Sequence, residues 1–241
     1  MLLKILMAAV SVAVMIITPF FVKAQKDGPC VKSLILKMTA ATGYLLIGVL
    51  GMAYKGSITK FDRILFIALI LSWIGDLFLH LWQKKIYPVI GFLGFFSAHF
   101  FFIAAYLNGI AQVSPGRGFF SVPEIAFVVI FDICFIIYAV VTKMNLKGVI
   151  AVPIVMYATV ITTMFCKAFL LGFTSVKSGA ENGMLIAVFA VLGAALFVMS
   201  DFSISILMFN EKRKTDYKLK MFNMLTYYAA ELLLAGLVLL Y

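Results

Sequence analysis

Apolar residues along this chain fall in long unbroken blocks separated by short polar connections, and neither strict alternation nor a narrow amphipathic stripe runs through them. The blocks predict helices at 3–22, 33–54, 62–82, 86–107, 121–142, 148–171, 184–208 and 219–240. At a rise of about 1.5 Å per residue, each is long enough to cross a hydrocarbon layer of about 30 Å. A transmembrane barrel would alternate apolar and polar positions over roughly ten-residue segments, and the phrase Ile64-Leu65-Phe66-Ile67-Ala68-Leu69-Ile70-Leu71 does not. Turn and charge clusters supply the connections: Lys55-Gly56-Ser57, Gln83-Lys84-Lys85, Ser114-Pro115-Gly116-Arg117-Gly118, Lys143-Met144-Asn145 and Glu211-Lys212-Arg213-Lys214.

Composition makes the membrane the implied solvent. Of 241 residues, 64% are hydrophobic and 12% charged, and the mean hydropathy of +1.12 lies far from that of water-soluble domains. The fold expected is therefore all-α, a polytopic transmembrane bundle of about eight helices forming one transmembrane domain over 1–241. No low-complexity tract or internal repeat interrupts it. The first block resembles a secretory signal, with Lys4 before an apolar run and Val22-Lys23-Ala24 after it, yet charge placement favours a retained span. Numbering the spans alternately puts Lys23, Lys26, Lys32, Lys84, Lys85, Lys143, Lys147, Lys212, Arg213, Lys214, Lys218 and Lys220 on one side. The other side receives Lys4, Lys55, Lys60, Arg63, Arg117 and Lys177. The positive-inside rule makes the richer side cytoplasmic and turns both termini away from the cytosol. A net charge of +10 then reflects topology and anionic headgroups, not a nucleic-acid partner, because the basic residues sit in loops flanking helices. Three cysteines, Cys30, Cys134 and Cys166, imply no disulfide framework.

Ionisable groups inside spans cost about 2.5–3.5 kcal/mol each on insertion scales, so they mark function by default. Here they are Lys37, Asp76, His80, His99, Asp132, Lys167, Asp201 and Glu231; Asp62 and Glu124 stand at span ends, within reach of water. Ser72, Asp76 and His80 are spaced by four on the third helix and share a face. Ser200, Asp201, Ser203 and Ser205 form a polar turn on the seventh, and Tyr227 and Tyr228 precede Glu231 on the eighth, so that both phenols are expected to line the approach to that carboxyl. Counted from the basic side, Lys37, Asp76 and Asp201 lie roughly 6–11 Å deep, with His99 and Glu231 nearer the midplane, which suggests one polar pocket opening toward that side. Bland readings compete for several of these: helix-packing hydroxyls for the serines, an interfacial role for His80, an interhelical hydrogen bond for His99, an ion pair with Lys167 for Asp132, and snorkelling for Lys37 and Lys167. Short carboxylates do not snorkel far, which leaves Asp76 and Asp201 as the best candidates for chemistry.

These residues resemble the lysoplasmalogenases, the YhhN-like membrane proteins. Gly75-Asp76-Leu77-Phe78-Leu79 resembles the family's Gly-Asp motif, and Gly94-Phe95-Phe96-Ser97-Ala98-His99 through Tyr106 its Phe, His and aromatic pattern. The run from Gly193 to Ser200-Asp201 resembles the Ser-Asp motif, Thr226-Tyr227-Tyr228-Ala229-Ala230 the tyrosine pair, and Lys37 the lysine early in the second helix. The likeness extends from Lys37 to Gly236. Met38 replaces a frequent proline, Glu231 a usual glutamine, and His80 a frequent apolar residue. The resemblance implies hydrolysis of the vinyl ether of a lysoplasmalogen to a fatty aldehyde and a glycerophospho-headgroup, with a lysophospholipid substrate and no cofactor.

That chemistry needs a proton donor at the vinyl β-carbon and a group that supports the oxocarbenium ion. Asp76 and Asp201 are the expected catalytic pair, one as general acid and one as ionised partner, on the logic of glycoside hydrolase carboxylates. Lys37 is the expected phosphate contact. His80, His99, Ser200, Tyr227, Tyr228 and Glu231 would line the substrate or position water. The competing class is a transporter that relays protons or binds cations at Asp76, Asp201 and Glu231. A retinal protein would need a mid-helix lysine near the C-terminus, which is missing, and two histidines do not make a three-histidine zinc site.

Overall fold

A computed structural model describes residues 2–81, 83–145 and 151–241. Among these residues the chain forms eight long helices: α1 (Leu2–Ala24), α2 (Val31–Lys55), α3 (Lys60–His80), α4 (Tyr87–Val113), α5 (Val122–Val141), α6 (Ala151–Lys177), α7 (Gly183–Phe209) and α8 (Tyr217–Gly236). A 3-10 turn, Leu237–Leu239, closes α8. All eight are long and apolar enough to cross a membrane, and the protein is a multi-pass, all-helical membrane protein. Trp82, expected in the third helix, and 148–150, expected to begin the sixth, lie outside the described residues, as does Lys147. The largest departure in length is α4, which runs six residues past its expected end. Its last turns, Asn108 to Val113, are too polar to register as hydrocarbon-spanning but have no reason to break: no proline intervenes until Pro115.

Helix starts explain a correction to the charged residues. Asp62 and Glu124, expected to reach water from their span ends, are buried, at 0% and 7% exposure. Each folds back to cap its own helix. Asp62 accepts from the Thr59 backbone N–H at 2.8 Å while its own N–H donates to the Thr59 hydroxyl, and Lys55 Nζ lies 2.6 Å from the same carboxylate. Glu124 accepts from the backbone N–H and hydroxyl of Ser121 at 2.7 and 2.6 Å. A carboxylate with two or three charge-assisted donors tolerates loss of water.

Small residues let α3 and α4 approach closely. A Cβ on Gly94 of α4 would stand 3.0 Å from the backbone nitrogen of Gly75 on α3, and one on Gly75 would stand 2.7 Å from the Phe95 ring. Two glycines thus let α3 and α4 pack backbone to backbone, which fixes the position of Asp76, the residue after Gly75. Gly94→Val is expected to force the pair apart and to cost about 1–3 kcal/mol; thermal unfolding in detergent micelles reads the loss. On the outside, α5 packs its backbone only against α6 among the described helices, and Ile130, Ile133, Ile137, Val140 and Val141 face outward along it.

Candidate active site

Asp76 of α3 and Asp201 of α7 line one half-open cavity of about 140 Å³. The cavity lies in the half of the bundle next to the basic loops: its walls include Leu79 at the end of α3, Pro88 and Phe92 at the start of α4, Met208 and Phe209 at the end of α7, and Asn223 and Met224 at the start of α8. None of its lining residues comes from α1. Phenyl and aliphatic side chains make up most of the wall, so the carboxylates face a largely apolar space.

The two carboxyl groups have different company. Asp76 is buried beneath Lys37, whose ammonium lies 3.0 Å from Oδ1 and donates to the Asp76 carbonyl at 2.9 Å. Its Oδ2 accepts from Tyr227 at 2.7 Å and from Tyr44 at 3.3 Å. Tyr228 donates to the Lys37 carbonyl at 3.1 Å, which ties α8 to α2 behind the ion pair. Asp201 accepts at Oδ2 from Tyr157 of α6 at 2.7 Å, and the same phenol oxygen lies 3.0 Å from His99 Nε2. Because Tyr157 spends its proton on Asp201, its oxygen accepts from His99, which fixes the proton on Nε2. His99 Nε2 is itself 3.6 Å from Asp201 Oδ2, and Nδ1 lies 3.3 Å from Met164 Sδ. Among the described residues no hydrogen bond joins Asp76 to Asp201, and Asp201 Oδ1 has no partner.

Several expected neighbours stand elsewhere. Lys37, Ser200 and Tyr227 line the cavity; His99 and Tyr228 sit behind its wall. Ser200 accepts from the Asn223 amide, at 2.9 Å to its hydroxyl and 2.7 Å to its carbonyl, and so fastens α8 to α7. The tyrosine pair does not serve Glu231 as expected, since one phenol turns to Asp76 and the other to the Lys37 carbonyl. Glu231 is fully buried close to the Ser72 hydroxyl, and among the described residues neither its oxygens nor that hydroxyl makes a hydrogen bond of ordinary geometry. His80 meets Ser33 Oγ at 2.8 Å and the Phe21 ring edge-on, outside the cavity wall. Neither lysine snorkels: Lys37 and Lys167 are 5% and 0% exposed. Lys167 pairs with Glu124 at 2.6 Å, not with Asp132, which instead accepts from Thr159 at 2.7 Å and Thr162 at 3.4 Å across the α5–α6 contact. Glu124 wins because its helix start brings it to the level of Lys167, whereas Asp132 stands about two turns further along α5.

Residues 33–238 match the profile of the YhhN family. The chain belongs to the YhhN family. No curated protein and no solved structure matches it. The matched span runs from the first turn of α2 through α8 and so includes every cavity-lining residue, with α1 outside it. Within this YhhN bundle, sequence reasoning missed Tyr44, Tyr157 and Asn223. Tyr157 carried the clearest signal, a phenol within the otherwise apolar stretch Ile154 to Ile161 relieved only by threonine.

Proposed function

We propose that this YhhN protein is a lysoplasmalogenase-type hydrolase that cleaves the vinyl ether of a lysophospholipid, with Asp201 as general acid and Asp76 as the charged partner. The observation that carries the reading is the unequal pair of carboxyls on one apolar cavity, and the membership of lysoplasmalogenases in the same family supports it. Asp76, held by an ammonium and two phenols, is the ionised group. Asp201 has one phenol donor and one oxygen open toward the cavity, so it is the carboxyl that carries a transferable proton.

The reaction then runs without outside reagents other than water. Asp201 gives its proton to the vinyl β-carbon, the double bond shifts, and positive charge spreads over the α-carbon and ether oxygen. The Asp76 carboxylate supports that charge across the low-dielectric cavity, where such interactions gain most. Water adds to the α-carbon while Asp201 takes back a proton, giving a hemiacetal. Its collapse moves a proton from the hydroxyl to the glycerol oxygen and releases aldehyde and glycerophospho-headgroup. Tyr157 and His99 hold Asp201 in orientation by the Tyr157 hydrogen bond. By the positive-inside rule the cavity faces the cytoplasmic leaflet, the side of the basic loops.

The test is a panel of lysophospholipids with vinyl ether, alkyl ether or ester linkage, incubated with the purified protein and read by mass spectrometry. Aldehyde from the vinyl ether alone is expected. In deuterated water the aldehyde carries one deuterium on the carbon next to the carbonyl. Cleavage of the ester alone, or no cleavage of any linkage, overturns the reading.

A further inference from the structure

The helix faces that carry the polar part of the cavity continue one turn further toward the basic loops. On α2, Ser33 precedes Lys37 by four residues; on α3, His80 follows Asp76 by four; on α8, Lys220 precedes Asn223, Met224 and Tyr227 by three, four and seven. Residues at those spacings share a helix face. Above Lys37, Asp76 and Asn223 therefore stands a second tier of Ser33, His80 and Lys220. His80 and Ser33 are joined at 2.8 Å, with the Ser33 hydroxyl donating to the Cys30 carbonyl and so accepting from His80 Nε2. Lys220 is half-buried and interacts electrostatically with Lys37, and both act on His80.

The charges of this corner do not balance. Two lysines, Lys37 and Lys220, converge there beside His80, and the carboxylate on the floor, Asp76, is already bound to Lys37. Lys220 forms no ion pair among the described residues. The acid one turn before it, Asp216, is taken by Arg213 at 2.7 Å and by the Leu219 backbone N–H at 3.0 Å. A partly dehydrated ammonium held beside a second lysine, with no carboxylate of its own, is a site for an anion.

We infer that Lys220, beside the Ser33–His80 pair, holds the phosphate of the substrate's headgroup one helical turn above the reacting atoms. The inference rests on the vinyl ether hydrolase reading for the identity of the lipid. The spacing agrees with it: six covalent bonds separate the vinyl carbon of a lysoplasmalogen from its phosphorus, a span of roughly 5–7 Å, and one helical turn rises about 5.4 Å. It also moves the phosphate contact from Lys37, where the sequence suggested it, because Lys37 is spent on Asp76.

Equilibrium binding to the full chain in detergent micelles tests this without requiring catalysis. The probes are a radiolabelled 1-O-alkyl lysophospholipid, whose saturated ether resists cleavage, the matching 1-O-alkylglycerol, which lacks the phosphate, and inorganic phosphate as competitor. Lys220→Gln is expected to weaken the alkyl lysophospholipid about tenfold and to leave the alkylglycerol unchanged. Lys220→Arg keeps the wild-type preference. In turnover, Lys220→Gln raises KM with little change in kcat. Equal weakening of both lipids, or of neither, overturns the assignment, as does inorganic phosphate displacing the lipid at comparable concentration, which would make free phosphate the ligand. A wild-type protein that prefers the lysophospholipid in a Lys220-dependent way but releases no aldehyde keeps the headgroup site and removes the hydrolase reading.

Discussion

Asp201→Asn lowers aldehyde release by about 10²–10⁴-fold, the usual contribution of a positioned general acid, while leaving the melting temperature close to that of the wild type. Asparagine keeps the volume, and its amide oxygen still accepts from Tyr157, so the hydrogen bond that orients the side chain at 2.7 Å survives. What disappears is the transferable proton. Asp76→Asn loses turnover as well, but for a different reason and with a different signature. It strips Lys37 of its counter-charge in a pocket where that lysine is 5% exposed, and breaking a buried pair from one side costs about 3–5 kcal/mol. Adding Lys37→Met to Asp76→Asn removes the orphaned ammonium and restores the melting temperature, yet activity stays lost. Aldehyde release and thermal unfolding of the three variants separate the two roles. Near-native turnover of Asp201→Asn would remove the general acid from the scheme. Equal destabilisation by Asp76→Asn and Asp201→Asn would remove the asymmetry on which the roles depend.

Those opposite behaviours trace to which helices surround each carboxylate, and that part of the site was only half legible in the chain. An aspartate in the middle of an apolar block announces itself, because nothing in hydrocarbon compensates it; hence Asp76 and Asp201 stood out from spacing and depth alone. Their partners did not. Tyr44 and Tyr157 lie on helices remote in sequence, 32 residues before Asp76 and 44 before Asp201, and a single phenol in a span reads as an interfacial or packing residue until the facing helix is known. The same blindness produced the wrong partner for Lys167. Depth counting places Lys167 and Asp132 inside spans and Glu124 at an end, but it does not show that Ser121-Val122-Pro123-Glu124 turns its carboxylate inward as a helix cap.

The fold was more openly written. With roughly 20 apolar residues per block and polar turns between, the only free parameters were the ends, and those shifted by up to six residues where helices outrun the hydrocarbon, as α4 and α6 do at Val113 and Lys177. Which helices touch is another matter. The Gly75–Gly94 contact that presses α3 on α4 was present in the sequence as two small residues in motifs, without any indication that they face each other.

That ordering of legibility bears on the Lys167 cluster, where a second large effect is expected. Lys167 Nζ lies 2.6 Å from Glu124 Oε1, donates to the Phe119 carbonyl and stands over the Phe120 ring at 4.4 Å, while Arg117 reaches Glu124 Oε2 at 3.8 Å from a half-exposed position. The cluster pins the start of α5 to α6, and α6 is the one described helix on which α5 packs its backbone. Lys167→Met leaves Glu124 buried without its main partner and should destabilise the protein by about 2–3 kcal/mol, less than for a wholly interior pair because Arg117 and nearby water remain. Lys167→Met combined with Glu124→Gln should recover most of that loss, since a neutral side chain of the same size needs no counter-ion and the Ser121 hydrogen bonds persist in part. Thermal unfolding of the two variants measures both steps. Phe135, two-thirds of the way along α5, lines the cavity, so the single variant should also loosen that wall and raise KM for the lipid while the double variant returns it. If the double variant proved as unstable as Lys167→Met, the cost would lie in the packing of the lysine stem and the Phe119–Phe120 loop, and the charge of Glu124 would not be what holds α5 in place.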